Sequence, residues 1–395
     1  MRIWRGVANG LRLYSRILVA AKSPGEIIWE MFGEIKGRQP LFGRDLICDW
    51  QTLGTVARTG RSTDETTMAF APFVPQFRLN GDEWNRRRSV LRRAFEPQFV
   101  ARVMGPYPPP FLGEGFVDLY EPIFEACFDA GFQYIFGRAA NDADRAQLLP
   151  GLRDLNRYVK RQVFSIDKAV RQRLYDEILR LVAPDAAGGF IFAGQRDFYA
   201  LPDSDRASAV ASDLLFSCCV QPADLISHML VLRSKFTQAF DESSLDHCVN
   251  EALRLFPLSD IYARLPYAGE RAWISSLVQL NRNGWVDPTR FSPKRWESGN
   301  HPPNMAWGVE ARHCPAAEVG IAITRGVFTA IVGCPRLGIT FASDFKHERT
   351  FPYGLPAMVT RGGSPPPFFM PKRTWKLIMR WIIERKRMIE QGEIW

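Results

Sequence analysis

The chain has 395 residues, of which 46% are hydrophobic and 24% are charged. This composition is ordinary for a folded globular protein and excludes a largely disordered chain. The net charge is +9, and residues 1–22 and 372–395 together carry all of it, so the chain between them is neutral. The charge distribution therefore gives no reason to expect a nucleic-acid-binding groove over the body of the protein.

The cysteines do not form a recognisable metal or disulfide pattern. There are seven in a long chain, and no CxxC pair occurs. This argues against a disulfide framework and against a structural zinc site. No run of about 18 uncharged apolar residues is present, so no membrane-spanning helix is expected. We expect a cytoplasmic protein, or one peripheral to the inner face of a membrane.

Hydrophobic periodicity predicts a mainly α chain with a minor β part. The predicted helices, in chain order, are 3–22, 81–104, 116–136, 151–182, 206–233, 243–256, 316–333 and 372–391. Residues 260–300 mix short extended pieces with turns. No internal repeat or long linker interrupts the chain, so residues 1–395 are expected to form one domain.

Two prolines mark the later helices. Pro257 follows the helix 243–256 and should end it, because the residue before a proline disfavours helical geometry. Pro222 lies inside the helix 206–233, where its ring presses on the carbonyl of Cys218. We therefore predict a kink at that point.

The two ends, 1–22 and 372–395, are predicted to be basic amphipathic helices. Such helices often lie on an anionic membrane surface. The same pattern also occurs on surface helices that pack on the body of a protein. A third interpretation is an interface with an acidic redox protein. The sequence leaves these interpretations open.

The strongest chemical signal is a cysteine before an apolar helix. Cys314 is placed where an N-cap would be, and Pro315 at the first helical position. A sulfur there faces unpaired backbone N–H groups, which stabilise a thiolate. The alternative is a buried structural cysteine, which is common.

Two further motifs precede this cysteine. Glu251 and Arg254 are spaced i, i+3, so they share a helix face. About forty residues later comes the segment Phe291–Trp296, which contains Arg295. An isolated Glu/Arg pair is usually exposed to solvent and contributes little to the stability of the fold. The three motifs in this order are much harder to obtain by chance.

This order resembles the cytochrome P450 superfamily over roughly residues 40 to 345. The family's signature around its cysteine ligand is matched by Trp307, Gly308, Arg312 and Cys314. The resemblance implies a cytochrome P450-like fold, haem b as cofactor, and Cys314 as the ligand to the iron. It also implies that Glu251, Arg254 and Arg295 form the buried cluster that holds the proximal loop in place.

The resemblance also implies how the haem propionates are held. Trp84 and Arg88 look like the family's WxxxR helix and would face a propionate. Arg264 and Arg312 would add two further cations. Several cations suit two buried carboxylates, which need charge-assisted partners.

The chain departs from the family pattern at two signature glycines and at the residues that transfer protons. Two signature glycines are replaced by Glu310 and Ala316. The usual acid–Thr pair of the long helix aligns with Val220 and Gln221. Val220 cannot carry a proton and Gln221 is a poor relay. Asp224, one turn on from Val220, is a candidate substitute.

The resemblance implies a monooxygenase that oxidises a small apolar molecule, as in secondary metabolism, with electrons from a separate ferredoxin or reductase. Residues about 60–80 and the long helix near Phe216 and Val220 would form the substrate walls. A first alternative is a peroxygenase or an oxygen-independent isomerase or dehydratase. The order Gln221-Pro222 faintly resembles the Arg-Pro of the peroxide-using branch, whose arginine binds a fatty-acid carboxylate. A second alternative is a non-catalytic haem-binding or partner-binding protein.

Overall fold

The computed structural model describes most of the body of the chain. The described residues are 31, 37–41, 44–56, 79–103, 105–109, 115–161, 168–185, 188–241, 243–257, 261–264, 272–280, 284–299, 301–302, 304–308, 313–334, 337–341 and 354–361. The predicted terminal helices and nearly all of the predicted substrate wall at about 60–80 lie outside these ranges, and both stay predictions.

The structure is mainly helical, as predicted. The described α-helices are α1 (Trp50–Val56), α2 (Gly81–Arg92), α3 (Pro97–Val100), α4 (Tyr120–Phe136), α5 (Asp142–Arg161), α6 (Lys168–Leu181), α7 (Arg196–Tyr199), α8 (Asp203–Ser208), α9 (Ser217–Lys235), α10 (Leu245–Leu255) and α11 (Ala317–Val332). Short 3-10 turns occupy Arg93–Phe95, Thr237–Ala239, Ser276–Leu280, Pro293–Trp296 and Met305–Trp307.

Three predicted helices have wrong boundaries. The predicted helix 81–104 is broken at Pro97, which opens the separate helix α3 because proline suits a first helical turn. The predicted helix 116–136 begins with a strand and becomes helical at Tyr120. The predicted helix 151–182 corresponds to two helices, α5 and α6, and α5 starts earlier, at Asp142.

Two small sheets make up the described β part. The first has the order β1-β2-β5-β4, formed by β1 (Arg38–Leu41), β2 (Arg44–Ile47), β4 (Ile261–Arg264) and β5 (Ala272–Ser275). Its β2–β5 pair is parallel, with Ile47 opposite Ile274. The second sheet is antiparallel with the order β3-β7-β6, formed by β3 (Gly115–Asp118), β6 (Leu337–Phe341) and β7 (Pro356–Arg361).

The core is centred on α4, α9 and α11, which pack on one another. Phe124, Phe128 and Phe132 repeat every four residues along α4 and are fully buried. Gly131 lets α4 approach α9 closely, because a Cβ atom there would lie 2.7 Å from the Cβ of Cys218. These helices form the rigid support of the candidate site.

One continuous helix of 33 residues, Asp203–Lys235, runs through this core. A segment in its first half, Ala209–Phe216, is π-helical. Within the described ranges it is long and apolar enough to cross a membrane, yet 89% of its most apolar window is buried inside the protein. It is therefore a core helix.

The irregular part of this helix lies upstream of Pro222, where the kink was predicted. Helix α9 continues through Pro222, and the widened turns come before Ser217. The Ser217 hydroxyl donates to the carbonyl of Ser212 at 3.3 Å, five residues back, which suits the wider π spacing.

Candidate functional site

Glu251 is the centre of a buried ion cluster. Glu251 and Arg254 lie on α10 and both are 0% exposed. Arg254 Nε and Nη2 donate to the two carboxylate oxygens at 2.9 and 2.8 Å. Arg295 Nε, the Ser292 backbone N–H and the Trp296 indole add bonds at 3.0, 2.9 and 2.9 Å. Because the carboxylate accepts five bonds, the burial of its charge is compensated.

Arg254 extends the cluster to the neighbouring loop. Its Nη1 donates to the carbonyls of Gln279 and Pro288 at 2.8 and 2.6 Å, and its guanidinium lies 5.0 Å from the Trp285 ring centre. Burial lowers the pKa of Arg254, and the Glu251 carboxylate opposes this effect. An arginine remains charged in proteins, so the cluster is a salt bridge that ties α10 to the loop.

Asn304 connects this cluster to the cysteine loop. Its side-chain NH₂ donates to the carbonyl of Asn250 at 2.9 Å. Its side-chain oxygen accepts from Gln279 Nε2 at 2.7 Å and from the Ala306 N–H at 3.1 Å. Neither Asn304 nor Gln279 was predicted from the sequence. Asparagine before a short helix is an N-cap signal that would have indicated Asn304, whereas Gln279 gives no local signal.

The cysteine loop begins with a turn that only glycine suits. Gly308 follows the turn Met305–Trp307 with φ 80° and ψ −177°. A Cβ atom at Gly320 of α11 would lie 3.2 Å from the Trp307 ring, so this ring packs closely on that helix. The Cys314 backbone N–H donates to the Trp307 carbonyl at 2.5 Å, which closes the loop. Arg312 lies outside the described residues.

Gly308→Ala should destabilise the folded protein by about 1–3 kcal/mol, because an L residue is strained in this backbone region. Urea unfolding of the purified protein measures the change in the free energy of unfolding. Gly188→Ala is the matched control, because a Cβ atom there meets nothing within 4 Å and its φ is not positive. An equal effect in both variants would contradict the role of the turn.

Cys314 lies in the turn before α11. The helix begins at Ala317 with Ala316 as its N-cap, so the predicted N-cap position of Cys314 is wrong by two residues. The Cys314-Pro315 pair belongs to a preceding turn, and helix ends commonly shift by this amount. Cys314 is half-buried, and burial raises the pKa of its thiol, whereas the Ala316 N–H and the Arg88 guanidinium lower it. Burial outweighs these two groups, so the pKa of the Cys314 thiol lies above its ordinary value.

Helix α2 brings the predicted WxxxR residues to this loop. Arg88 Nη2 donates to the carbonyl of His313 at 2.9 Å, and its guanidinium lies 5.0 Å from the ring centre of Trp84. Arg88 therefore lies beside Cys314. Arg264 ends β4, and its side chain is outside the described part of the structure.

One side of the long helix carries the side chains that are not fully buried. From residue 207 to residue 232 every residue is buried except Asp213, Ser217 and Gln221. These three are spaced four apart, so they lie along one side of the helix. We call them the polar stripe. Gln221 is the most open of the three, whereas Val220 is only 6% exposed and packs in the core.

The cysteine loop lies close to this helix. Burial raises the pKa of the Cys218 thiol to about 12, and the negative charge of Cys314 contributes to that rise. Cys218 directly follows Ser217, so the middle of the helix is within electrostatic reach of Cys314. On the other side, Arg87 of α2 acts on the charge of Asp213.

Asp224 lies on a different side of the helix. It is 1% exposed. Burial is the main cause that raises the pKa values of Tyr120 and Cys127 on α4, and the charge of Asp224 adds to both shifts. Its neighbours therefore belong to the α4 side of the core and not to the polar stripe. This position argues against the role in proton supply that the sequence predicts for Asp224.

Comparison with solved structures identifies the architecture. A six-coordinated cytochrome P450 from Thermus thermophilus matches with a TM-score of 0.59 and 18% identity, over 82% of this chain and 94% of that chain. A single-residue variant of cytochrome P450SP alpha matches with a TM-score of 0.68 and 15% identity, over 88% and 99%. The chain has the cytochrome P450 fold.

A further cytochrome P450, P450EX alpha with myristic acid, matches with a TM-score of 0.63 and 14% identity, over 86% of this chain and 94% of that chain. No protein-family model and no curated protein sequence matches the chain. The likeness is therefore one of structure, and it confirms the predicted fold class.

The residues of this chain fit the haem that the cytochrome P450 fold implies. A half-buried thiol has a cation beside it and lies within electrostatic reach of the long helix that carries the polar stripe. Cys314 would ligate the iron, and Trp84 and Arg88 would hold a propionate. The predicted contributions of Arg264, Arg312, Trp307 and Gly308 to cofactor binding stay predictions.

Proposed function

We propose that the protein is a haem-thiolate oxidoreductase, in particular a monooxygenase, that holds haem b through Cys314. One observation supports this more than any other: Cys314 sits in a loop tied to the fully buried Glu251 cluster and lies within electrostatic reach of the central helix. When bound, a haem with a thiolate ligand supplies oxidative chemistry that amino-acid side chains lack.

In this proposal the residues of the chain hold the cysteine loop in position and exclude water from the site. The Glu251 cluster fixes the cysteine loop, and Asn304 fixes the turn before it. The buried helix excludes water along most of its length, and the polar stripe offers the few groups that can contact a substrate. Electrons would come from a separate ferredoxin or reductase, in the cytoplasm or at the membrane surface that the basic ends would contact.

The direct test uses purified protein with a reduced ferredoxin and its reductase. Consumption of dioxygen that depends on a small organic substrate, with formation of an oxidised product, supports the monooxygenase. Turnover with hydrogen peroxide and no electron donor would instead support the peroxygenase. The replacement of the acid–Thr pair by Val220 and Gln221 favours that second candidate. Haem binding without either turnover would support a non-catalytic protein.

We predict that few of the delivered electrons end in product. The Gln221 amide on the polar stripe is a poor proton relay, and Val220 packs in the core. Gln221→Thr should raise the ratio of product to electrons consumed, because it places a hydroxyl on the open stripe. The ratio is measured as product formed per reduced nicotinamide cofactor oxidised.

The variant Asp224→Asn tests whether protons reach the site through Asp224. Because Asp224 lies among α4 residues, this variant should leave the ratio of product to electrons unchanged. A fall in the ratio with Asp224→Asn would show that protons reach the site through Asp224. Tight coupling in the unmodified protein would contradict the predicted weakness of Gln221.

A further inference from the structure

Asp213 is a half-buried acid whose carboxylate oxygens have no hydrogen-bond partner among the described residues. It is the first residue of the polar stripe, in the π-helical part of the long helix. Both of its carboxylate oxygens are buried, and neither has a hydrogen-bond partner in the described part of the chain. A buried polar group left unpaired destabilises a protein, so it is kept only where something else compensates.

The nearest described cation is already engaged elsewhere. Arg87 of α2 is 3% exposed, and its Nη2 donates to the Asp205 carbonyl at 3.3 Å and lies 3.4 Å from the Asp205 carboxylate. The described charges that act on Asp213 are Arg87 and Asp205. One cation thus faces two carboxylates, so the surplus charge at this end of the stripe is negative.

Of the three stripe residues, only Asp213 can carry a charge. The Ser217 hydroxyl already donates to the Ser212 carbonyl, and Gln221 is a neutral amide. Asp213 and Gln221 are eight residues apart, which is about 12 Å along a helix. A ligand lying along the stripe therefore meets a carboxyl group at one end and an amide at the other.

We infer that Asp213 determines the specificity of the substrate cavity, by binding ligands that carry a protonated amine and by disfavouring ligands that carry a carboxylate. This inference rests on the proposed function, because it takes the polar stripe as a wall of the substrate cavity. An ammonium group would give Asp213 a charge-assisted hydrogen bond and remove its unpaired state. A carboxylate would be repelled by it.

The alternative explanation is that Asp213 has a partner within the protein, namely Arg87. The Nε of Arg87 also has no hydrogen-bond partner among the described residues. A small side-chain rotation that pairs this Nε with Asp213 would compensate the acid without a ligand. In that case Asp213 would show no preference for an amine.

The experiment compares three ligands with the same alkyl chain on the haem-loaded protein. The ligands are dodecyldimethylamine, dodecanol and dodecanoic acid, and calorimetry measures their dissociation constants. The amine is tertiary so that it ligates iron poorly, and the Soret band checks that it does not. We expect the amine to bind roughly 10- to 100-fold more tightly than the acid, from the usual strength of a charge-assisted hydrogen bond.

Two variants assign the preference to one residue. Asp213→Asn should bring the dissociation constant of the acid, divided by that of the amine, down to near one. Asp203→Asn is the matched control, because it also removes an acid from the same long helix, but Asp203 is exposed and pairs with Arg206 and not with Arg87. It should keep the preference. Equal loss in both variants would show a general effect of charge and overturn the inference.

The pH dependence gives an independent signature. Burial raises the pKa of Asp213 to about 7, with Asp205 adding to the rise and Arg87 opposing it. Asp213 should therefore be mostly neutral at pH 6 and mostly ionised at pH 8, while an alkylamine, like lysine with its pKa of about 10.4, stays protonated. The preference for the amine should grow between these pH values in the unmodified protein and stay constant in Asp213→Asn.

Thermal unfolding shows whether Asp213→Asn still folds. An acid whose pKa is raised in the folded state destabilises it increasingly as pH rises from about 4 to about 7. Asp213→Asn should therefore raise the melting temperature more at pH 8 than at pH 5. A lower melting temperature at pH 8 would show that Asp213 has a partner within the protein and overturn the inference.

Failure of the inference about Asp213 can be distinguished from failure of the proposed function. The carbon monoxide spectrum of the same preparation reports thiolate ligation, whatever ligand binds. If that spectrum is as expected but the acid binds as tightly as the amine, or the amine does not bind, the inference about Asp213 is wrong and the proposed function stands. If the spectrum lacks the thiolate band, the proposed function is wrong.

Discussion

Cys314→Ala should abolish the red-shifted Soret band of the reduced, carbon monoxide-bound protein, and all substrate oxidation with it. The band arises from a thiolate ligand, and alanine offers no atom that binds iron. An imidazole such as that of the neighbouring His313 would not restore this band, because the band requires a sulfur ligand. The measurement is a difference spectrum of reduced protein with and without carbon monoxide.

Cys334→Ala is the matched control for this variant. Cys334 is also half-buried and lies just after the other end of α11, so it tests the loss of a thiol beside the same helix. It should keep the band and the haem content. If Cys314→Ala keeps the band, or Cys334→Ala loses it, the assignment of the ligand is wrong.

Glu251→Ala should have the largest effect on stability. The change leaves Arg254 buried with no counter-charge and removes the carboxylate bonded by Arg295 and Trp296. Breaking a buried ion pair by removing one partner costs on the order of 3–5 kcal/mol. That is a large share of the 5–15 kcal/mol that stabilises a typical protein. We expect little soluble haem-loaded protein, measured as yield and as haem absorbance per protein.

The chain contains a close control for this cluster. Glu83 and Arg86 on α2 have the same i, i+3 spacing, with a bond of 2.9 Å, but their side chains are 43% and 56% exposed. Glu83→Ala should cost less than about 1 kcal/mol, because water screens exposed pairs. The difference between the two variants therefore measures burial and not spacing. Similar yields for both would indicate that the Glu251 cluster is not buried in solution.

Much of the helical core could be predicted from the sequence. The helices at 243–256 and 316–333 follow from apolar periodicity and from Pro257, and the long helix follows from its apolar composition. The strands β1, β2, β6 and β7 were not predicted. They are only four to six residues long, and β2 pairs in parallel with β5, more than two hundred residues away. Local propensity says little about such pairing.

The candidate site was predicted unevenly for a similar reason. Cys314, Glu251, Arg254 and Arg295 were found because their spacing along the chain is itself a pattern. Asp213 was missed because a single acid in an apolar helix carries no spacing signal, and its meaning depends on which neighbours leave its oxygens unpaired. Asn304 and Gln279 act through bonds to residues about 25 to 54 positions away, and those bonds are visible only in three dimensions.

The reach of the Glu251 bonds has a consequence for the order of folding. Ser292, Arg295 and Trp296 meet Glu251 across 41 to 45 residues of chain. Closing a flexible loop of that length costs about 3 kcal/mol of entropy, which the buried cluster can offset within a local segment. The cysteine loop can thus be shaped before the chain upstream of α10 has docked. We expect haem to bind a partly folded chain in which the cysteine loop has already formed. Docking of the long helix should then limit the rate of haem uptake.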